Sequence, residues 1–377
     1  PAPFLILTVG TGTAGRHSNL AAGLRRTIEL VQPSRFWLVP SRDSESTALA
    51  DLVCEQQPAF VPWSNARPYR CIARHDSLED CRRAVREVIQ AAKARRKRGE
   101  TVILNPTSGT KQMSAGATLA ALDEGLVSVV FTVGERSDGV VRTGTERLES
   151  FDAEAFHLEH TLSQASLLVQ SGAFASASRL LRRFGGAAAR PRTACDLLHE
   201  WQRLHYPAAR HLADLQSGQP FDGWRQRLSG LCQAGQLSLE VLGDLLANAT
   251  RLLNWDSPED ALARYYRATE LALKFRLREL LDLGPSYRLD SLIREFPRDE
   301  ARFRSSSRDG IVYLGARQCG DLLISRHDPF AAALFALPLW DTLQRRNFSV
   351  VGHGLDVISR EEVTRLATEL PALLNAH

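Results

Sequence analysis

Apolar residues follow two different periodicities along the chain, and the change falls near residue 150. Before it, short and nearly continuous apolar runs alternate with stretches in which apolar residues recur every three or four positions. The runs predict five strands, at residues 4–9, 35–39, 69–74, 101–104 and 127–133. The stretches between them predict helices, and a hairpin is predicted at residues 140–148. Strands that alternate with helices at this spacing are typical of a parallel, doubly wound sheet.

After residue 150 the short apolar runs stop and only the helical spacing remains. It predicts helices at residues 154–168, 174–183, 195–215, 224–234, 237–253, 256–277, 287–303, 330–349 and 360–374, with a polar loop at 304–310. A chain of 377 residues is also longer than one hydrophobic core usually serves. We therefore predict two domains, an α/β domain at residues 1–150 and an all-α domain at residues 151–377.

The composition is that of a globular protein, with 44% hydrophobic and 24% charged residues and a formal net charge of +4. No apolar run approaches the roughly 18 residues that a membrane-spanning helix needs. The first apolar run lacks the basic flank and cleavage pattern of a signal peptide, so it predicts a strand. The six cysteines show no CxxC pair and no metal-like spacing with histidine, so we expect reduced thiols, no metal site and a cytoplasmic protein without membrane contact.

Three polar loops follow predicted strands, at residues 10–19, 40–46 and 105–113. Ligands of doubly wound sheets bind at the carboxyl ends of the strands, where these loops lie. The third loop reads Asn-Pro-Thr-Ser-Gly-Thr-Lys-Gln-Met and leads into a helix, whose free backbone N–H groups and dipole favour an anion. Lys111 is one of only four lysines against 43 arginines, so we expect it to touch the ligand. An ordinary turn in which a threonine caps the helix is the alternative.

The first loop contains Gly10-x-Gly12-x-x-Gly15, which matches the dinucleotide-binding fingerprint. That fingerprint also requires an acidic residue at the end of the second strand, where this chain has Ser41-Arg42-Asp43. A P-loop is excluded because Arg16 and His17 stand where lysine and a hydroxyl residue are needed. A nicotinamide-dependent oxidoreductase therefore stays a minor alternative, which also lacks an obvious residue pair for hydride transfer.

Three segments, Thr8–Gly12, Val39–Ser44 and Asn105–Met113, together resemble the CARF domain of CRISPR-associated ancillary proteins. The likeness is greatest to the CARF–HEPN ribonucleases of type III systems. The resemblance implies a Rossmann-like domain that forms a homodimer and binds a cyclic oligoadenylate between two facing sets of loops, with cyclic tetra-adenylate as the guess for ring size. No other cofactor is expected. The activator-binding residues it implies are Gly10, Thr11, Gly12, Thr13, Asn19, Ser41, Asn105, Thr107, Ser108, Gly109, Thr110, Lys111 and Gln112.

The same resemblance directs attention to an arginine followed after a short spacer by a histidine, the motif of HEPN ribonucleases. The candidate is Arg346-Asn347 with His353, and Arg345 is the alternative arginine. The pairs Arg70…His75 and Arg192…His199 match the spacing too. We favour the first because an asparagine follows its arginine and because a helix is predicted there. A separation of seven residues is two helical turns, which would place Arg346 and His353 on nearly the same face. Residues 263–271 also resemble the helical part of this family.

The resemblance, together with the Arg346–His353 motif, implies a cyclic oligoadenylate-activated endoribonuclease. It would cleave single-stranded RNA without a metal and leave 2′,3′-cyclic phosphate ends. The 2′-hydroxyl of RNA is the nucleophile, His353 moves a proton, Arg346 stabilises charge on phosphate, and Asn347 orients phosphate or histidine. The alternative is a CARF sensor whose helical domain is not catalytic, or which degrades its activator with hydroxyls such as those of Thr11, Ser41 and Thr107. No Asp…Glu-x-Lys pattern follows residue 150, which argues against a metal-dependent nuclease.

Overall fold

The computed structural model describes residues 2–11, 17–55, 57–126, 128–137, 140–142, 144–235, 237–281, 287–336 and 338–376. They form two compact units, residues 1–162 and 163–377. Within the described ranges, no helix combines the length and the apolar character that crossing a bilayer requires.

The first unit is an α/β unit built on a five-stranded sheet of order β2-β1-β3-β4-β7. The strands of this sheet are β1 (Phe4–Val9), β2 (Arg35–Pro40), β3 (Val102–Asn105), β4 (Ser128–Val133) and β7 (Arg147–Asp152). Two short strands, β5 (Arg136–Ser137) and β6 (Val140–Val141), form a separate pair. The helices of this unit are α1 (His17–Val31), α2 (Ser44–Cys54), α3 (Leu78–Arg95) and α4 (Lys111–Asp123). Strands β2, β1, β3 and β4 are parallel, which confirms the predicted doubly wound arrangement.

Strand β1 is central because both of its faces are buried. Leu5 and Leu7 belong to the hydrophobic cluster formed with α1 and α2, whereas Phe4 and Ile6 belong to the cluster formed with α3 and α4. Side chains alternate between the two faces of a strand, so a strand covered on both faces is apolar at nearly every position, and in β1 the exception is Thr8. This explains the nearly unbroken apolar run at the start of the chain.

Three predictions for this unit are wrong. Residues 69–74 form no strand. They contribute a single parallel bridge between Ser41 and Ile72, and the chain before them closes a local turn in which Trp63 N–H donates to Pro68 O at 2.9 Å. The predicted hairpin at 140–148 has different partners, because β6 pairs with β5 and β7 returns to pair with β4. Since β7 runs antiparallel to β4, the sheet is mixed rather than wholly parallel.

The second unit is almost entirely helical. Helix α5 (Ala153–Gln170) spans the division between the units, and α6 (Phe174–Leu181) is followed by a 3₁₀ turn (Arg182–Ala188). The remaining helices are α7 (Ala189–Gln202), α8 (Tyr206–Asp214), α9 (Phe221–Gln233), α10 (Leu239–Asn254), α11 (Pro258–Leu280), α12 (Leu289–Glu295), α13 (Glu300–Ser305), α14 (Ala316–Ser325), α15 (Pro329–Ala336), α16 (Leu339–Gln344) and α17 (Arg360–Ala376). A short hairpin of β8 (Ser307–Arg308) and β9 (Ile311–Val312) occupies the predicted polar loop.

Helix α11 is the centre of this unit's main core. Its Tyr265 is fully buried, and the phenol lies 3.0 Å from Thr250 Oγ1 on α10, so the one polar atom of a large buried ring is satisfied. Helices α14 to α17 pack around the same core. The predicted helices at 195–215, 287–303 and 330–349 are each broken into shorter elements, and α14 was not predicted.

Candidate functional site

The loops after β1 and β3 touch through two glycines. The strands are parallel neighbours, so their carboxyl ends meet at one edge of the sheet. A Cβ added to Gly10 would lie 2.3 Å from Gly109 Cα, and therefore only glycine allows this approach. Gly109 has φ of +129°, and a Cβ there would lie 2.8 Å from Met113 Sδ. Both glycines are thus required by the shape of the loop pair.

Ser108 ties the two loops together by hydrogen bonds. Thr8 Oγ1 donates to Ser108 O at 2.5 Å, and Gly10 N–H donates to Ser108 Oγ at 3.3 Å. Both contacts join β1 and its loop to the loop after β3, so they hold the two loops together. Thr8 is fully buried, which makes the first of these bonds costly to lose.

Asn105 and Thr107 use their polar atoms inside the loop. Thr107 N–H donates to Asn105 Oδ1 at 3.0 Å, and Asn105 Nδ2 donates to Thr132 Oγ1 at 2.8 Å. Thr132 N–H in turn donates to Thr107 Oγ1 at 2.8 Å. Asn105 is 2% exposed. These two predicted binding residues therefore hold the loop against β4 through their side-chain hydrogen bonds.

Thr110 is the N-cap of α4, which was the alternative reading of this segment. Its Oγ1 accepts a hydrogen bond from Met113 N–H at 3.1 Å and donates to His75 O at 2.6 Å. Lys111 and Gln112, the next two residues, are exposed. Within the described parts of the chain, the Lys111 ammonium has no ion-pair partner, whereas Lys93 and Lys274 pair with carboxylates. A capped helix and a free cation beside it are compatible with anion binding.

An open groove runs from this loop along the exposed face of α4. It is lined by Thr107, Gly109, Lys111, Ser114, Ala115, Thr118, Leu119 and Phe131. Ser114, Thr118 and Phe131 were not among the predicted binding residues. The first two lie one and two turns after Lys111, so the helical period would have indicated them. Phe131 comes from β4, and only the tertiary fold brings it there.

The remaining predicted binding residues lie on other elements. Ser41 is 2% exposed and follows β2, where its N–H donates to Ser46 Oγ at 3.1 Å. Ser46 Oγ donates to Val9 O at 2.6 Å, which links this loop to the end of β1. Thr11 is partly buried, and Asn19 is exposed on the first turn of α1. Gly12 and Thr13 lie outside the described residues, as does Gly15 of the glycine fingerprint.

The candidate catalytic segment is a turn, and the predicted common helix face is wrong. Helix α16 ends at Gln344, residues Arg345–Phe348 form one 3₁₀ turn, and residues 349–354 are not helical. Ser349 explains the end of the helix. Its side-chain hydroxyl donates to Arg346 O at 2.9 Å and its N–H approaches the same oxygen at 3.3 Å, which closes the turn.

Two glycines fold the turn back on itself. A Cβ on Gly352 would lie 2.2 Å from Arg346 O, and one on Gly354 would lie 2.0 Å from Phe348 O. Between them, His353 N–H donates to Asn347 O at 3.0 Å. The histidine is exposed. The backbone of His353 therefore lies against that of Asn347 because of a glycine-flanked turn, where the sequence had suggested a shared helix.

The two neighbouring arginines have different partners. Arg345 pairs with Glu362 and donates to Val357 O at 3.4 Å. Burial raises the pKa of the Glu362 carboxyl, but hydrogen bonds from Ser359 and the charge of Arg345 outweigh it and lower that pKa. Arg346 instead lies with its guanidinium carbon 5.5 Å from the centre of the Tyr266 ring. These contacts favour Arg346 as the arginine that is free to bind phosphate.

Arg346 also donates to Asn347 Oδ1 at 3.3 Å, so the two side chains are in contact. Tyr266, on α11, is partly buried, with its ring 6.3 Å from that of Trp340. Burial chiefly raises the pKa of the Tyr266 phenol, Glu270 adds to this and Arg346 opposes it. Tyr266 belongs to the stretch at residues 263–271 that resembles this family, and no local sequence pattern marks it as a partner of Arg346.

The competing Arg…His pairs require one correction. Arg192 and His199 both lie on α7, so they, and not Arg346 and His353, are the pair on a single helix. Arg70 is held by Glu87 at 2.7 Å. A shared helix therefore does not distinguish Arg346 and His353 from the other pairs. Their assignment depends on the neighbouring asparagine and on a family match to this part of the chain.

Comparison with known proteins gives a family match for the C-terminal region. Residues 234–377, which include Arg346 and His353 but not Arg192 and His199, match the family described as the Csm6 HEPN domain. The chain also superposes on the structure of Enterococcus italicus Csm6 bound to cyclic hexa-2′-fluoro-hexa-dAMP. That match has a TM-score of 0.68 at 11% identity and covers 100% of this chain and 94% of the other. No curated protein matches the sequence.

These matches confirm the predicted fold class and the resemblance to CARF–HEPN proteins. At 11% identity the structural match establishes the shared fold.

Proposed function

We propose that this protein is a ribonuclease of type III CRISPR defence activated by cyclic oligoadenylate, because residues 234–377 match the Csm6 HEPN family and the whole chain shares the fold of a Csm6 structure. The observation that carries the proposal is that the family match contains the Arg346–His353 turn. The nicotinamide-dependent alternative has no support from either comparison.

The first unit is the sensor in this proposal. Its loops bring backbone N–H groups, a helix N-terminus and the unpaired Lys111 to one edge of the sheet, which suits a ring of phosphates. A symmetric ring suits a symmetric pair of sites, so the active form is a homodimer. Cyclic tetra-adenylate is the first ring to test. Cyclic hexa-adenylate is the second, since the E. italicus protein is bound to a six-membered analogue.

The second unit carries the chemistry. The 2′-hydroxyl of a nucleotide attacks the adjacent phosphorus, the bond from phosphorus to the 5′-oxygen breaks, and a 2′,3′-cyclic phosphate and a 5′-hydroxyl result. His353 moves a proton at one of these oxygens, because an imidazole exchanges protons near neutral pH. Arg346 stabilises the charge that grows on the phosphate, with Asn347 beside it. The attacking group comes from the RNA itself, so no step requires a metal ion.

Activation links the two units. Binding of the ring changes the population of an active arrangement of the helical units, which is a coupling free energy between two distinct sites. The motifs of two subunits together form the RNA-cleaving site, so dimerisation and activation act on the same arrangement.

The test is cleavage of a fluorescent single-stranded RNA in EDTA, with and without cyclic oligoadenylates of four and six units. We expect cleavage with one ring size and little without it. Cleavage that depends on added divalent metal would contradict the mechanism. Cleavage that no cyclic oligoadenylate changes would contradict the sensing role. Loss of the ring itself, followed by chromatography, would support the alternative in which the first unit degrades its activator.

A further inference from the structure

A positively charged surface lies at the edge of the first unit's sheet where β1, β2 and β3 begin. The loops after β1 and β3 lie at the opposite edge. Residues 95–98 lead from the last residue of α3 towards β3, and at the positively charged edge they contact Trp63, because Arg95 Nη1 donates to Trp63 O at 3.4 Å. We call Arg95, Arg96, Lys97 and Arg98 the basic edge. All four side chains are exposed.

The neighbouring segments of the sequence offer no carboxylate that could balance this charge. Residues 56–75 and 88–99 contain neither aspartate nor glutamate. The acidic residue that follows, Glu100, is 4% exposed, and it accepts hydrogen bonds from Ser34 Oγ at 2.6 Å and Arg35 Nη2 at 2.7 Å. Within the described residues, the run from Arg96 to Arg98 forms no ion pair. Most basic residues elsewhere in this unit do pair, which sets the basic edge apart.

The helix dipole explains only part of the cluster. Basic residues are favoured in the last turn of a helix, where Lys93 and Arg95 lie. Arg96 is the C-cap and has extended backbone angles, so the three basic residues from Arg96 to Arg98 follow the helix. Three consecutive basic residues beyond the helix, without counter-charges, require another explanation.

An aromatic group lies within the cluster. The guanidinium carbon of Arg95 is 5.7 Å from the centre of the Trp63 ring and 5.2 Å from that of Trp37. Trp37 is buried, whereas Trp63 is partly exposed. Cations that follow a phosphate backbone, beside an aromatic ring and a guanidinium on which a base can stack, are the features of single-strand binding surfaces.

We propose that the basic edge binds single-stranded RNA, outside both the activator loops and the Arg346–His353 turn. The choice of RNA as the polyanion rests on the proposed function. A membrane surface is disfavoured because, among the described residues, none of the large exposed apolar side chains lies in residues 57–68 or 93–99. Duplex nucleic acid offers the same phosphates but no free base for Trp63.

The test measures binding alone. A short fluorescent 2′-O-methyl RNA lacks the attacking hydroxyl, so the full-length protein binds it without cleaving it, and fluorescence anisotropy gives Kd. The variant R96S/K97S/R98S should raise Kd about tenfold, and the slope of log K against log salt should fall by about 2, for three lost phosphate contacts. The variant should fold normally, since Lys97 contacts Glu100 through its backbone N–H and not its side chain.

The matched control is R26S/R83S/R142S. It removes the same charge from arginines of the same unit that are paired with carboxylates. We expect its Kd to stay within about twofold of wild type, because these three arginines are not part of the basic edge and each already faces a carboxylate. Equal weakening in both triple variants, or an unchanged Kd for the basic-edge variant, would overturn the proposal.

Two further measurements complete the test. If the triple variant unfolds, Trp63→Leu replaces it, and an RNA affinity equal to wild type would then overturn the stacking role. Binding to vesicles of phosphatidylcholine and phosphatidylserine that depends on the basic edge, with RNA binding unaffected, would overturn the choice of partner. Neither activator nor cleavage enters these assays, so failure of the proposed ribonuclease function is recognised separately.

Discussion

Gly10→Ala is the sharpest test of whether the touching loops form the activator site. The added Cβ would lie 2.3 Å from Gly109 Cα and 2.9 Å from Gly109 N. Since carbon atoms pack at about 3.5 Å or more, the loops must separate by about 1 Å. That movement stretches the 3.3 Å bond from Gly10 N–H to Ser108 and disturbs the 2.5 Å bond from Thr8.

The magnitude follows from these contacts. Overpacking costs about 1–3 kcal/mol, and one weakened hydrogen bond adds about 1 kcal/mol. The substitution therefore destabilises the conformation that binds the activator by about 2–4 kcal/mol. This raises the half-maximal activator concentration by about 30-fold to 1,000-fold. Basal cleavage should stay near wild type, because the reacting residues belong to the second unit.

The assay titrates cyclic oligoadenylate against RNA cleavage, with thermal unfolding to check that the variant is folded. Gly23→Ala is the control, since its Cβ would meet only Glu146 Oε1, at 3.6 Å. It should activate like wild type. If folded Gly10→Ala protein also responds at the wild-type activator concentration, the two touching loops are not the activator site.

Three further predictions concern single side chains. Arg346→Ala should slow single-turnover cleavage by about 10²–10³, whereas Arg345→Ala should keep most of the rate and lower the free energy of unfolding in urea by no more than about 1 kcal/mol, since its pair with Glu362 is partly exposed; similar rates for both would contradict the assignment. Lys111→Ala should weaken activator binding about tenfold by calorimetry without changing basal cleavage, and an unchanged affinity would remove Lys111 from the site. Burial raises the pKa of the Glu100 carboxyl, but hydrogen bonds, chiefly from Arg35, lower it from 4.5 to about 2. Its contribution to stability is therefore complete above pH 4.5 and is lost as the pH falls from there to about 2; Glu100→Gln should flatten that part of the urea stability curve, and a curve parallel to wild type would contradict the shift.

The parts of the fold that local physics determines were predictable. Strand β1 was predicted at its observed bounds, because burial on both faces leaves a nearly unbroken apolar run. Ser77 stands directly before α3 and is a residue type that favours the N-cap, and its hydroxyl accepts from Asp80 N–H at 3.3 Å. Residues 69–74 have a strand-like composition, yet they form only one bridge to the sheet. A strand at residues 69–74 would need continuous pairing with the edge strand β2, and the local sequence pattern does not specify such pairing.

The candidate sites divide in the same way. A strand, a glycine-containing loop and a helix N-terminus are local features, so the loop at 105–113 was found from its own residues. The inward roles of Asn105 and Thr107 depend on Thr132, which lies on another strand. At the second site, Glu362 and Tyr266 distinguish Arg345 from Arg346, and both partners are distant in sequence. The turn at 349–354 depends on close backbone contacts of two glycines, which the helical period does not reveal.

The most direct test of the central claim is the chemistry of the RNA ends. Single-stranded RNA is cleaved with activator in EDTA, and the new ends are identified by mass spectrometry for wild type and for His353→Ala. We expect 2′,3′-cyclic phosphate and 5′-hydroxyl ends from wild type, and a loss of at least about a hundredfold in rate for His353→Ala. Products with 5′-phosphate ends, or a His353→Ala variant that cleaves like wild type, would contradict the account.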